Sequence, residues 1–97
     1  TGMAGAWLDS IPMFVICGQV KTDNIAPRKN GVPMVRAIGF QELNVIDMAR
    51  PITKYAVMCE SADMIKRELD DAIRHATTPR FGPVWLDIPG DVQNARI

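Results

Sequence analysis

The clearest pattern in the chain is a set of apolar residues at intervals of three and four between Ala62 and Ala76. This spacing predicts a helix with one buried face. Ser61 stands where an N-cap is expected, and Asp63 lies in the first turn, where an acidic side chain complements the helix dipole. Pro79 follows shortly after the last apolar position, so we expect the helix to end before it.

Three further stretches are apolar or rich in β-branched residues and predict strands, at 13–17, 52–59 and 83–89. The continuous apolar run of the first is typical of a strand buried on both faces. Shorter helical patterns precede Pro12 and cover 41–48. Because helices alternate with strands, the chain predicts an α/β fold with a mainly parallel sheet flanked by helices.

The stretch 21–39 has no sustained period and predicts a long loop. It contains two prolines and two glycines, and its four basic side chains, Lys21, Arg28, Lys29 and Arg36, face one acidic residue. Loops longer than about 12–15 residues are usually functional or disordered. We expect this basic loop to lie over a cleft and attract an anion, or else to be a solvated insertion.

Length and charge exclude several classes of protein. The 97 residues suffice for one small domain, and equal numbers of acidic and basic residues, 11 each, argue against nucleic acid or an anionic membrane as a partner. No apolar run approaches the roughly 20 residues that span a bilayer, and no signal segment opens the chain. Cys17 and Cys59 are expected to be reduced thiols, which suggests a cytoplasmic protein. The apolar start at Thr1 suggests a piece of a larger domain.

Few side chains carry recognisable chemistry. No metal site is predicted, because the one histidine, His75, and the two cysteines lie far apart in the sequence. His75 is expected to be structural or solvated, at the end of its helix. Neither Ser10 nor Ser61 has the context of a hydrolase nucleophile, and no glycine-rich phosphate loop is present.

Several polar residues have two open interpretations. Asp87 and Asp91 follow the last predicted strand, at the edge where parallel sheets bind ligands, but either can equally cap a loop. Gln41 and Glu42 are expected to begin a helix, where Gln41 points into a cleft or serves as a cap. For Asp9, capping of backbone N–H groups is favoured.

Three stretches in this order resemble the N-terminal, pyrimidine-binding domain of thiamine-diphosphate-dependent enzymes, specifically the acetolactate synthase-like group. They contain Gly-Gln-Val at 18–20, Phe-Gln-Glu at 40–42 and Gly-Pro-Val-Trp-Leu-Asp-Ile-Pro at 82–89. The resemblance implies that residues 1–97 form a single incomplete segment, the second half of that domain. The family's catalytic glutamate and its diphosphate and Mg²⁺ sites would lie outside this chain, so no cofactor-binding residue is assigned here.

The resemblance implies a parent enzyme that is a lyase or transferase acting on 2-keto acids, with this chain inactive on its own. Its cofactor would be thiamine diphosphate with Mg²⁺, with FAD as an optional addition, and its partners the rest of the enzyme in a homodimer or homotetramer. The alternative is a non-catalytic α/β module for oligomerisation or ligand binding.

Phe40 and Gln41 match the Phe-Gln of the synthase pattern, which implies that they border the active-site cavity. An aromatic wall and a hydrogen-bonding amide suit a small keto acid, whereas the alternative is a staple and cap for the next helix. Asp9, Gly82, Pro83, Asp87 and Pro89 match family positions that look structural. Lys21 replaces a proline usual in the family, and the longer basic loop indicates a branch with another substrate.

Overall fold

The computed structural model describes residues 1–29, 32–39 and 42–97, with the backbone alone at 28–29 and 32–33. Within these ranges there are four helices: α1 Gly2–Leu8, α2 Val45–Ala49, α3 Ile65–Ala76 and α4 Gly90–Gln93. The same ranges contain five strands: β1 Phe14–Gln19, β2 Arg28–Lys29, β3 Val32–Pro33, β4 Tyr55–Met58 and β5 Val84–Pro89.

A three-stranded parallel sheet in the order β1, β5, β4 forms the centre of the fold. Val84 of β5 pairs with Phe14 on one side and with Tyr55 on the other. The α/β prediction is therefore confirmed. Pro83 and Pro89, which match family positions expected to be structural, are both fully buried at the ends of the central strand.

The prediction that the first strand is buried on both faces is wrong. Among the described residues β1 pairs with β5 alone, and the side chain of Ile16 is 62% exposed. The apolar run correctly predicts a strand, but no described residue covers the outer edge of that strand.

Helix α3 confirms the amphipathic prediction and supplies the core. The Ser61 side chain accepts a hydrogen bond from the N–H of Asp63, and a 3-10 turn at Ala62–Met64 leads into the helix. Ala72 and Ala76 form a buried cluster with Val84 of β5, and the partly buried Phe14 and Tyr55 pack against this cluster. Small side chains on the helix let it lie close to the sheet.

His75 has the structural role expected of it. Its ring stacks on Tyr55 with the ring centroids 4.7 Å apart, and its Nδ1 lies 2.7 Å from the carbonyl oxygen of Asp71. Both cysteines are free thiols, with Cys59 fully buried and Cys17 half-buried. No helix in the described ranges is long and apolar enough to cross a membrane.

The stretch 21–39 is more ordered than a simple loop. It contains a 3-10 turn at Thr22–Asn24 and the antiparallel pair β2–β3, closed by a 2.8 Å bond from the N–H of Met34 to the carbonyl of Pro27. The β2–β3 pair satisfies backbone hydrogen-bonding groups in this stretch. The sequence did not predict it, because the stretch has no periodic pattern of apolar residues.

The predicted helix at 41–48 begins later than expected. Asn44 is the N-cap of α2 and accepts a 3.2 Å bond from the N–H of Asp47, so Glu42 lies before the helix rather than at its start. The short helix α4 was not predicted from the sequence.

Candidate functional site

A cavity of about 500 Å³ lies towards the carboxyl ends of the three parallel strands. Gln19 at the end of β1, Met58 at the end of β4 and Asp87 of β5 all line it. Loop residues before α2, together with Arg36, complete the wall. This volume is within the range of small-molecule sites, and its place agrees with the sheet edge expected for ligands.

The side-chain amide of Gln19 joins two of the strands to the cavity wall. Its Nε2 donates to Oδ2 of Asp87 at 3.0 Å and to the carbonyl oxygen of Leu43 at 2.8 Å. Its Oε1 accepts from the N–H of Val20 at 2.9 Å. Both amide hydrogens and the amide oxygen are therefore in use, which fixes the orientation of the group.

Asp87 is a buried carboxylate with an incomplete set of partners. Its side chain is 1% exposed, and Oδ1 has no hydrogen-bond partner among the described residues. Burial raises the pKa of this carboxyl, and the hydrogen bond from Gln19 acts in the opposite direction. The side-chain donor to this carboxylate among the described residues is the Gln19 amide, and no backbone N–H of a described loop is capped by it.

Asp91 shows the capping role that was one of its two interpretations. Its Oδ1 accepts from the N–H of Thr22 at 3.0 Å and its Oδ2 accepts from the Thr22 hydroxyl at 2.5 Å. These bonds hold the pKa of Asp91 below its usual value. The prediction for Asp9 is not met, because its carboxylate accepts no hydrogen bond in the described part of the chain and lies exposed after α1.

Asp87 and Asp91 are expected to titrate on opposite sides of the usual aspartate pKa of 3.8. Because the folded pKa of Asp87 is raised, its contribution to stability is present below the unfolded pKa and is lost as pH rises through the folded pKa. Asp91 contributes stability above its unfolded pKa, which is lost as pH falls through its folded pKa. Carboxyl ¹³C titration, with Asp87→Asn to assign the signal, checks this; the reverse order of the two midpoints would contradict it.

Glu42 fastens the ends of the 21–39 stretch to the cavity wall. One carboxylate oxygen accepts from the N–H of Ala26 at 2.7 Å, and the other accepts from the N–H of Ile38 at 2.8 Å. Charge-assisted bonds of this type are about twice as strong as neutral ones. Sequence reasoning placed Glu42 at a helix start and missed this role, because its partners lie 16 and 4 residues away.

Replacing Glu42 with glutamine is expected to loosen this loop. The amide oxygen can still accept one N–H, but the NH₂ group faces the other donor, so we expect amide exchange at Ala26 and Ile38 to accelerate by about tenfold, or roughly 1.4 kcal/mol. Hydrogen exchange measures the effect. Glu60→Gln is the control, since Glu60 is exposed and makes no hydrogen bond to any described residue; equal exchange in both variants would refute the role.

Two other features bear on the chemistry of this region: the arginines that line the cavity, and the Cys59 thiol, which lies outside the cavity lining. Arg36 lines the cavity and has no salt-bridge partner in the described ranges, whereas Arg50, also in the lining, pairs with Asp47 at 3.3 Å. Burial and the neighbouring Glu68 raise the pKa of the Cys59 thiol to about 11, so it is not a nucleophile at neutral pH.

The two residues predicted to be catalytic, Phe40 and Gln41, lie outside the described residues. Gln19 was noticed in the sequence only as part of a motif, and its position at the end of a strand directly before a basic loop was the available signal. No group of three or more His, Cys, Asp or Glu side chains in the described part of the chain is placed to hold a metal ion.

No family model matches the chain. It is 39% identical over 92 residues to the mitochondrial acetolactate synthase catalytic subunit of Aspergillus candidus. It is 38% identical over 95 residues to the acetolactate synthase isozyme 1 large subunit of Escherichia coli. The chain is homologous to a segment of acetolactate synthase catalytic subunits.

The alignments cover nearly all of this chain but only a small part of each relative. The alignments cover 95% and 98% of this chain but only 12% and 15% of those relatives. A third relative, the acetolactate synthase large subunit of Corynebacterium glutamicum, is 38% identical over all 97 residues, which are 14% of its length. The cavity, the basic stretch and the Gln19–Asp87 pair all lie within the segment that these synthases share in sequence.

Proposed function

We propose that the protein carrying this chain is a thiamine-diphosphate-dependent lyase or transferase that acts on 2-keto acids, and that this chain forms part of the wall of its substrate cavity. The observation that carries the proposal is the 36–39% identity to acetolactate synthase catalytic subunits over 95–100% of the chain. A non-catalytic module is not favoured, because the aligned relatives are named as catalytic subunits.

One basic residue of the cavity, Arg36, is suited to an anionic substrate. Four acidic residues also line the cavity: Glu42, Glu60, Glu68 and Asp87. Arg36 offers a guanidinium that no described carboxylate neutralises, and it stands in the basic stretch 21–39. A 2-keto acid has a carboxylate that a guanidinium can bind through two parallel hydrogen bonds. Phe40 and Gln41, next to Glu42 in the sequence, are proposed to contact the rest of the substrate. The replacement at Lys21 and the longer basic stretch support a 2-keto acid other than those of acetolactate synthesis.

We propose that the cofactor site lies mostly outside the described residues of this chain. A magnesium–diphosphate group needs several hard oxygen ligands together, and the described residues contain no such cluster. When bound, thiamine diphosphate supplies the carbanion chemistry, while the protein binds and orients the keto acid. We assign the diphosphate and Mg²⁺ contacts to another part of the parent protein.

Exposed apolar side chains support burial against more protein. Ile16 on the outer strand and Met48 on α2 are 62% and 64% exposed. Contacts with the rest of the enzyme, in a homodimer or homotetramer, would cover them, and this assembly and a cytoplasmic location remain predictions.

Cofactor binding by the full-length protein tests the proposal. Calorimetric titration with thiamine diphosphate and Mg²⁺ is expected to give a dissociation constant of about 1 μM or lower, near −8 kcal/mol. Thiamine without the diphosphate is the control and should bind much more weakly. Equal binding of the two compounds, or none, would overturn the assignment.

A further inference from the structure

We infer that Gln19, held in place by Asp87, is a positioning residue that fixes the cavity wall at Leu43, in the cavity that Arg36 also lines. This inference rests on the proposed function. Its amide is fully used within the protein, so Gln19 acts by holding the backbone at Leu43.

The amide of Gln19 can adopt only one orientation. Rotating it by 180° would bring Oε1 against two acceptors, the Leu43 carbonyl and Oδ2 of Asp87, in place of the two donated bonds of 2.8 and 3.0 Å. It would also lose the bond from the N–H of Val20. Three different segments therefore define the direction in which Gln19 points.

Burial of the Asp87 carboxylate beside Gln19 carries a desolvation cost. Its carboxylate is 1% exposed, no basic side chain in the described ranges lies within salt-bridge distance, and its described side-chain donor is Gln19. An apolar side chain on the central strand would avoid the desolvation of a carboxyl group. Polar groups that violate the rules of core packing are found at functional sites, where they fix one geometry.

The segment around Leu43 is held to the sheet by the hydrogen bond from Gln19 rather than by burial of the Leu43 side chain. The Leu43 side chain is 55% exposed, and the chain between Gly39 and α2 has no regular secondary structure in its described residues. The bond from Gln19 ties this segment to the sheet. On its other side, the N–H of Gly39 donates to the carbonyl of Asn24 at 3.0 Å, and Glu42 binds the loop amides.

Leu43 itself lines the cavity, so the bond from Gln19 holds a piece of the cavity wall to the sheet. Displacing a positioning segment by about 1 Å can lower a rate by about 10²-fold. Loss of the Gln19 bond should therefore affect turnover more strongly than substrate binding.

The test uses the full-length enzyme with thiamine diphosphate, Mg²⁺ and its best 2-keto acid. Gln19→Met keeps the length of the side chain but removes both donors, and we expect kcat to fall at least tenfold while KM changes less than kcat. Amide exchange over residues 42–46 should accelerate at least tenfold, a readout independent of activity. Asp87→Asn retains an acceptor for Gln19 and should lose less activity than Asp87→Leu.

Gln93→Met is the matched control, because Gln93 on α4 donates to the carbonyl of Ile88 and is outside the cavity lining. Should Gln19→Met fail to fold, Gln19→Asn, which keeps the amide but falls one methylene short of Leu43, is judged by the same criteria. A kcat within twofold of wild type, or a loss of kcat without faster exchange at 42–46, overturns the positioning role alone. Absence of cofactor-dependent turnover in the wild type overturns the proposed function instead.

Discussion

Replacing Leu86 with alanine is expected to lower the free energy of unfolding by about 3 kcal/mol, within the range for leucine-to-alanine changes in cores. Leu86 has no exposed surface and lies in the central strand β5, paired across to Ile16 on β1 and Val57 on β4. Its removal leaves a cavity that both flanking strands border. The rigid sheet can close around it only in part.

The measurement is the urea dependence of hydrogen-exchange protection in peptides covering β5 and α3, which reports on this part of the protein. Leu8→Ala is the matched control, because Leu8 is 73% exposed at the end of α1 and should change stability by no more than about 0.5 kcal/mol. A loss below about 1 kcal/mol for Leu86→Ala would mean that the central strand is not packed as described.

Replacing Arg36 with alanine is expected to raise the KM for the 2-keto acid about tenfold, with a smaller change in kcat. One charge-assisted contact to a substrate carboxylate that is made equally in the ground state and the transition state affects KM alone. Because Arg36 is exposed, the effect should shrink as salt is added.

Steady-state kinetics of the full-length protein at low and high ionic strength measure this effect. Arg74→Ala is the control, since Arg74 is an arginine on α3 that pairs with Asp71 at 3.0 Å and does not line the cavity. An unchanged KM at low salt would leave the basic stretch with a role in solvation only.

Local patterns in the sequence were sufficient for the elements that bury one face. The spacing of Ala72 and Ala76 and the cap at Ser61 predicted α3, and the apolar run 83–89 predicted the central strand. These signals are local, because a helix face and a strand each require a fixed spacing along the chain.

Tertiary pairings could not be predicted in the same way. Gln19 and Asp87 are 68 residues apart, so their hydrogen bond depends on β1 and β5 being neighbours in the sheet. The exposed edge at Ile16 likewise depends on what lies beside β1, which a run of apolar residues does not specify. Glu42 was predicted to begin a helix, because the preceding β2–β3 pair, whose neighbouring amides Glu42 binds, has no apolar periodicity in the sequence.

The release of CO₂ from a 2-keto acid labelled at its carboxyl carbon tests the central claim most directly. The full-length protein, stripped of cofactor, is mixed with a panel that includes pyruvate and longer or more acidic 2-keto acids, before and after thiamine diphosphate and Mg²⁺ are added. We predict that at least one of these acids releases labelled CO₂ only after both are supplied, since the cofactor carries the decarboxylation chemistry. No release from any acid by protein shown to be folded and cofactor-bound would contradict the assignment of this chain to a 2-keto-acid enzyme.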